Sequence, residues 1–252
     1  MIRNRQIVLI IQARMGSKRL PGKVLRAIGN KPMLQMVIDR VSRSNLVDQI
    51  VVATTTAHND DKIAGLCSVL GVPVVRGSEL DVLGRFYQAS REFPAEIYVR
   101  VTADCPLLDP EIVDMVIGEF DRNGVQYAAN RMPGSRSYPI GLDVEVFDSR
   151  TLEIAHDGAI LEYQREHVTP FMYDGSASIS LLHVKNSEGD WGDERWTVDT
   201  AEDLEFIQHV VSCLDEDDTG WKHVLAVLET YPDWRRINQH ISQRYFTVTD
   251  SE

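Results

Sequence analysis

"IVLIIQARMGSKRLPGKVL", residues 7–25, decides the fold. Its first part is a short apolar, largely β-branched run. Its second part sets Arg14, Lys18, Arg19 and Lys23 around Gly16, Pro21 and Gly22. A run this apolar and this short, closed by glycine and proline, reads as a strand buried on both faces, the kind found in parallel sheets. The loop that leaves such a strand lies at its carboxyl end, where open α/β sheets bind ligands. A glycine-containing loop there can present backbone N–H groups to phosphate while its lysines and arginines add charge.

Two common phosphate motifs are excluded by counting. The P-loop reads G-x-x-x-x-G-K followed by Ser or Thr. Here five residues separate Gly16 from Gly22, and Val24 follows Lys23. The dinucleotide fingerprint G-x-G-x-x-G is also missing, which disfavours NAD or FAD and leaves a nucleoside triphosphate.

The strand signal recurs at "QIVVATT" (49–55), "VPVV" (72–75) and "EIYVRVTA" (96–103). Between these runs, "KPMLQMVIDRVSRS" places Met33, Met36, Val37 and Val41 on one helical face, and "NDDKIAGLCSVLG" opens on an Asn/Asp cap and closes on Gly71. "DVLGRFYQASREF" and "DPEIVDMVIGEFDRNG" repeat the pattern, the second with Pro110 after a capping Asp109. Such alternation up to about residue 130 predicts an α/β protein with a mostly parallel central sheet flanked by helices.

"RMPGSRSYPIGLDVEVFD" (131–148) breaks the rhythm and reads as an irregular excursion over the site near 131–145, ending in a strand at "LDVEVF". Helices near 149–173, strands at "ASISLLHV" (177–184) and "RWTV" (195–198), a helix from "DTAEDLEFIQHVV" (199–211) and a helical tail after about 216 are expected to follow. With no repeat and no linker rich in Gly, Ser or Pro, residues 1–252 are expected to form a single domain, long enough to bury a full core.

The formal charge of −12 argues against nonspecific affinity for nucleic acid or an anionic membrane. Its distribution is uneven: residues 1–38 hold eight Lys or Arg and no acidic residue, so an anionic ligand meets one basic end. The apolar runs fall short of the roughly 20 residues needed to cross a bilayer. Cys67, Cys105 and Cys213 are too few and too scattered for a disulfide framework or a zinc cluster, which suits a reducing cytoplasm.

Two acidic residues fall where a metal would be wanted. In "VRVTADCPLLDP", Asp104 follows a predicted strand on the ligand-bearing edge; in "WTVDTAEDLEFI", Asp199 ends another. One or two carboxylates plus phosphate oxygens are what Mg²⁺ usually takes. The plainer readings are a turn residue before Pro106 for Asp104 and a helix N-cap for Asp199.

Taken together, these segments resemble the cytidylyltransferases that make CMP-activated sugars, the CMP-Kdo and CMP-acylneuraminate synthetases, and most closely the SpsF-type branch of spore coat polysaccharide synthesis. "IIQARMGSKRLPGKVL" is similar to the family's nucleotide loop, "VTADCPLLDP" to its metal-bearing segment and "VDTAEDLE" to its second aspartate; "GSELDVLGRFYQA", "YPIGLDVEVF" and "REHVTPF" are similar to further segments of that branch. The resemblance implies a glycosyltransferase-A-like, nucleotide-diphospho-sugar transferase fold that uses CTP and Mg²⁺. It places Arg14 and Lys23 on the triphosphate, Asp104 and Asp199 on metal, and Gly77, Asp81 and Arg85 near the base. Ala13, Gly16, Ser17 and Thr102 complete the nucleotide-binding set, with Arg14, Lys23 and Asp104 as the catalytic group. Thr102, Ala103 and Asp104 stand where the Kdo enzymes carry Gln-Gly-Asp, a departure that bears on the cytosine contact.

The implied activity is transfer of CMP from CTP to a small sugar or sugar-acid acceptor with release of pyrophosphate, by a cytoplasmic homodimer that engages neither nucleic acid nor membrane. On the acceptor side the candidates are Tyr138, Gly141, Asp143, Glu145 and His167. Asp143 and Glu145 alternate on a strand and so share a face; they suit sugar hydroxyls or a structural role. His167 suits a base, an acceptor-site donor or a helix histidine bonded to a carbonyl. Arg131 and Arg136 suit a substrate carboxylate or a solvated loop, and Arg165 and Glu166 an exposed pair. Two other readings stay open: a glycosyltransferase consuming a nucleotide sugar, whose Asp-x-Asp motif is missing here, and a noncatalytic nucleotide-binding subunit.

Overall fold

In a computed structural model that describes residues 5–132, 136–215, 217–218 and 220–242, seven strands form one sheet in the order β5-β4-β1-β6-β8-β7-β9. At its centre β1 (Ile7–Gln12) runs parallel to β4 (Gln49–Thr55) on one side and to β6 (Ile97–Thr102) on the other, and β5 (Val74–Gly77) extends the parallel set beyond β4. Past β6 the strand β8 (Glu145–Asp148) is antiparallel, while β7 (Tyr127–Ala129) and β9 (Leu181–His183) resume the first direction. A hairpin of β2 (Ala27–Ile28) and β3 (Lys31–Pro32) stands apart.

The apolar run of β1 serves two cores, as its reading as a doubly buried strand requires. Ile7, Leu9 and Ile11 face one layer with helices α1 (Met33–Val41), α2 (Asp61–Leu70), α4 (Pro110–Asn123), α8 (Ala201–Val211) and α9 (Trp221–Thr230). Val8 and Ile10 face the other, with α3 (Val82–Glu92), α5 (Ser149–Gly158) and α7 (Pro170–Tyr173). One further short helix, α6 (Glu162–His167), lies against α3. Register sets Gln12 beside both Ala53 and Thr102, so β1, β4 and β6 finish level and send their loops to one edge.

Three expectations change. "RWTV" is not a strand of the sheet: Arg195 makes an isolated bridge to Ile140, and the segment runs extended across the edge because Val198 N–H donates to the Asp104 carbonyl at 2.9 Å. The strand expected at 72–75 begins two residues later, since Val72 N–H closes the end of α2 onto the Cys67 carbonyl. The helix expected from Asp199 is capped by Thr200, whose hydroxyl accepts from Asp203 N–H while the Asp203 carboxylate accepts from Thr200 N–H. Of the excursion, residues 133–135 lie outside the described residues, as do 243–252 of the tail.

Candidate active site

The loop after β1 is pinned from below before any ligand is considered. Leu20 and Val24 are buried in the core. The Met15 carbonyl accepts from Ser17 N–H at 2.8 Å and from Gly22 N–H at 3.1 Å, which folds the loop on itself. Gly22 sits at φ 69°, a left-handed conformation that side chains resist. Asp60 holds the loop from outside. Expected as part of a helix cap, its buried carboxylate instead accepts from Met15 N–H at 2.8 Å and from the hydroxyls of Thr54 and Thr55 at the end of β4.

Lys23 follows directly, nearly buried, and its ammonium donates to Asp104 Oδ2 at 2.6 Å, Asp199 Oδ1 at 2.8 Å and the Val198 carbonyl at 2.8 Å. Thr102 donates to the other Asp104 oxygen at 2.6 Å. Burial alone acts to raise the Asp104 pKa, but the Lys23 charge and the Lys23 and Thr102 hydrogen bonds outweigh it and bring the carboxyl to about 2. Burial works against the Lys23 charge too, and the two carboxylates outweigh it in turn, raising the ammonium's pKa. Asp199 also meets Arg19 at 3.0 Å and Arg195 at 3.0 Å.

The two aspartates, 95 positions apart in sequence, thus converge on one cation. This is the donor set that a hard divalent ion needs, with the ammonium standing where positive charge is wanted. Among the described residues no group of three or more His, Cys, Asp or Glu side chains gathers. An ion held here would therefore draw further oxygens from phosphate and water, the arrangement usual for Mg²⁺.

A cavity of about 450 Å³ opens over the loop, lined by Arg14, Gly16, Ser17, Lys18, Arg19, Lys23, Thr102, Asp104, Asp199 and His167, among others. A smaller one of about 130 Å³ is lined by Arg100, Arg131, Asp143 and Glu145 and shares Thr102, Asp104 and Asp199 with the first. The two spaces therefore meet at the aspartate pair.

His167 is turned toward the first cavity by its neighbour. Val168 has φ 73° and ψ −58°, and Thr169 N–H donates to the His167 carbonyl at 2.9 Å, which together make a strained γ-turn. Val168 is fully buried, and Thr169 donates to Glu145 at 2.5 Å, so packing on both sides holds the turn. Burial, followed by nearby Arg100, Arg131 and Arg14 against Glu166, lowers the His167 pKa and keeps the imidazole neutral.

Behind the smaller cavity Glu145 is buried and accepts from Arg100, from Arg131 at 3.2 Å and from Tyr127 at 2.7 Å. Burial would raise its pKa; Arg100 and Arg131 reverse the sign and take it to about 2. Asp143 pairs with Arg136 and, at 3.8 Å, with Arg131. The arginines offered by sequence to a substrate carboxylate are thus already paired with Glu145 and Asp143.

Other candidates fall elsewhere. Tyr138 is buried with its ring edge-on to Trp221, 6.0 Å between centroids, and lines neither cavity because it belongs to the core. Gly141 has φ 110°, and a Cβ there would lie 2.7 Å from Thr197 N, so its place is a close backbone approach. Ala13 is core and continues the ladder to Ala53. Asp81 caps α3 through Gly84 N–H and grips Arg165 with both oxygens, so Arg165 is no loose surface group. Gly77 gives way to the Arg85 side chain, which would lie 2.7 Å from a Cβ. Arg85 is buried, and none of its guanidinium nitrogens finds a hydrogen-bond partner among the described residues. Arg14 stands between Glu79 and Glu166, 3.7 Å from each.

The family model for cytidylyltransferases matches residues 8–239. The chain is a member of the cytidylyltransferase family. It is 35% identical to an uncharacterized protein of Methanocaldococcus jannaschii over 96% of this chain and 98% of that one. It is 33% identical to the spore coat polysaccharide biosynthesis protein SpsF of Bacillus subtilis, over 90% of this chain and 95% of that one. A solved cytidylyltransferase from Leptospira borgpetersenii superposes with a TM-score of 0.86 at 30% identity, covering 95% and 99% of the two chains.

For a cytidylyltransferase of this kind, sequence reasoning missed the residues that hold the site in place. Arg195 and Asp203 anchor Asp199, Gln12 accepts from Arg100, and Asp60 ties the loop. Only Asp203 had a legible signal, three residues after Thr200 in a capping-box spacing.

Proposed function

We propose that this cytidylyltransferase family member transfers CMP from CTP to a sugar or sugar-acid acceptor, releasing pyrophosphate, for surface polysaccharide or glycan synthesis. The observation that carries the reading is the meeting of the two cavities at Thr102, Asp104 and Asp199, beneath a loop bearing Arg14, Lys18, Arg19 and Lys23. The larger space suits a nucleoside triphosphate and the smaller one the reacting end of an acceptor. Arg85, with unpaired donors beside Gly77, supports placing the base toward that end of the sheet.

In the proposed reaction an acceptor oxygen attacks the α-phosphorus and the bond to pyrophosphate breaks. The protein's task is alignment and the spreading of negative charge. Asp104 and Asp199 would hold Mg²⁺, which when bound supplies Lewis-acid charge at the phosphate. Arg14, Lys18, Arg19 and Lys23 bind and orient the triphosphate and take up the charge of the leaving pyrophosphate. Neutral His167 can accept the proton of the attacking hydroxyl at an imidazole nitrogen. Asp143, fixed by Arg136 and Arg131, orients the acceptor, and Glu145 holds Arg100 and Arg131 at the cavity wall. The acting form is proposed to be a cytoplasmic homodimer of single-domain chains; among the described residues no helix is long and apolar enough to cross a membrane.

A screen of four nucleoside triphosphates against acidic and neutral sugars, with Mg²⁺ and pyrophosphate as the readout, tests the reading. Release with CTP and one acceptor class is expected. Strict preference for ATP, or consumption of a nucleotide sugar without pyrophosphate, overturns it.

A further inference from the structure

Lys23 cannot grip a phosphate in the pose it holds. An ammonium has three N–H donors, and all three are spent, on Asp104, Asp199 and the Val198 carbonyl. Two other cations of the loop are engaged as well: Arg19 on Asp199 at 3.0 Å, Arg14 between Glu79 and Glu166. The aspartate pair is neutralised from within the protein. We propose that Lys23 is the resident counter-ion of the Asp104–Asp199 pair, and that it leaves the pair for the triphosphate when a divalent cation enters, so that one side chain couples metal binding to nucleotide binding. The proposal rests on the reading of these aspartates as the metal-holding carboxylates.

The geometry sets the two cations in competition. A divalent ion shared by the two carboxylates would stand at the position of the ammonium, and two like charges cannot occupy it together. If the triphosphate drew Lys23 away without a metal, it would leave Asp104 with the Thr102 hydroxyl and no cation, and Asp199 with Arg19 and Arg195 alone, beside a polyanion. Metal arriving alone meets the ammonium, and each ligand therefore removes the obstacle to the other. The side chain is built for such a move: its root is fixed by Leu20 and Val24 in the core, while its four-carbon stem is flexible and lines the larger cavity. Coupling of this kind is reciprocal and usually spans about five- to 150-fold.

The test reads Mn²⁺ binding without nucleotide, by the paramagnetic resonance of free Mn²⁺, in the full-length protein. Wild type is expected to bind weakly. Lys23→Met and Lys23→Gln should each tighten binding roughly tenfold or more, and adding Asp104→Asn to either should abolish the gain. Lys23→Gln can still donate hydrogen bonds to the pair, so a folding defect in the methionine variant does not remove the measurement. Lys23→Arg, which keeps the charge, should behave as wild type. A nonhydrolysable CTP analogue, corrected for the Mn²⁺ it holds in solution, should tighten Mn²⁺ binding in wild type and much less in the neutral variants.

Unchanged or weaker nucleotide-free Mn²⁺ binding in both neutral variants overturns the proposal, since a lysine that serves phosphate alone predicts that result. Pyrophosphate release by wild type tests the underlying reaction separately. Release without the Mn²⁺ effect overturns the exchange alone; the Mn²⁺ effect without release supports the exchange and counts against the assigned reaction.

Discussion

Arg195 grips Asp203 through both carboxylate oxygens, Nε at 2.8 Å and Nη2 at 2.9 Å, and the same Nη2 lies 3.0 Å from Asp199. Asp203 is fully buried at the start of α8 and also accepts from the backbone N–H groups of Asp199 and Thr200. One buried carboxylate therefore fixes the chain direction at Asp199 and the cation beside it. Burial tends to raise the Asp203 pKa, and Arg195 and the backbone donors bring it below the usual range.

Removing Asp203 should cost both stability and the site. Asp203→Ala leaves Arg195 buried with one partner fewer, and breaking a buried pair this way typically costs about 3–5 kcal/mol. Urea unfolding should show that loss, and nucleotide turnover should fall even at temperatures where the variant is folded. A variant as stable as wild type would mean that Asn238, which donates to Asp203 at 3.0 Å, and the cap carry no weight here.

Asp104 and Lys23 should separate in kinetics although they touch. Asp104→Asn keeps the shape and the Thr102 contact but removes charge, so kcat should fall on the order of 10²-fold, more than KM for CTP rises. Lys23→Met should raise KM as well, because the neutral side chain no longer holds phosphate. Steady-state kinetics with CTP varied distinguishes the two; an Asp104→Asn enzyme with full turnover would remove that carboxylate from the chemistry.

The parallel half of the sheet was legible because β1, β4 and β6 are buried on both faces and write that fact as unbroken apolar runs. The helices between them announce themselves through caps at Asp109 and Gly71. β7 was not legible: Tyr127–Ala129 is three residues long, and its pairing with β8 is a long-range fact. "RWTV" failed in the opposite sense, having strand composition but a place on the sheet's edge, fixed by Gly141 and the Asp104 carbonyl. Within the site, the sequence singled out Lys23, Asp104 and Asp199, and the structure brings the three side chains together, although the strand expected before Asp199 is not one. That Arg131 and Arg136 would be occupied by Glu145 and Asp143, and Tyr138 by Trp221, depends on contacts that no local pattern encodes.

The acid side of the activity profile should belong to His167. Asp104 and Glu145, at about 2, remain ionised through the range where enzymes are assayed. His167 is lowered from the ordinary 6.5 by burial, so it is neutral at pH 7 and charges only below 6.5. kcat/KM should accordingly fall along a limb whose midpoint lies below pH 6.5. The unfolded chain takes up this proton first as pH drops, so His167 also reduces stability from about pH 6.5 downward, the loss levelling off below its folded-state pKa. His167→Gln should lower kcat by on the order of 10²-fold, erase the limb and lessen the acid sensitivity of folding. A limb that survives the substitution would assign it to another group.

Gly141 offers a test of how the second aspartate is held. Its φ of 110° disfavours any side chain, and a Cβ would lie 2.7 Å from Thr197 N and from Trp196 C, both backbone atoms that cannot turn aside. Gly141→Ala must therefore push the 195–199 segment away from the sheet edge, at a cost of about 1–3 kcal/mol. The displacement strains the Ile140–Trp196 hydrogen bond of 2.7 Å and the Val198–Asp104 bond of 2.9 Å, two of the links that set Asp199 beside Asp104. Thermal melting should register the destabilisation, and Mn²⁺ binding in the presence of nucleotide should weaken in the folded variant. The nearest atoms a Cβ would meet here are all backbone, so a loss of metal affinity without any loss of acceptor discrimination would identify the role of Gly141 as placing Asp199 and not as touching sugar.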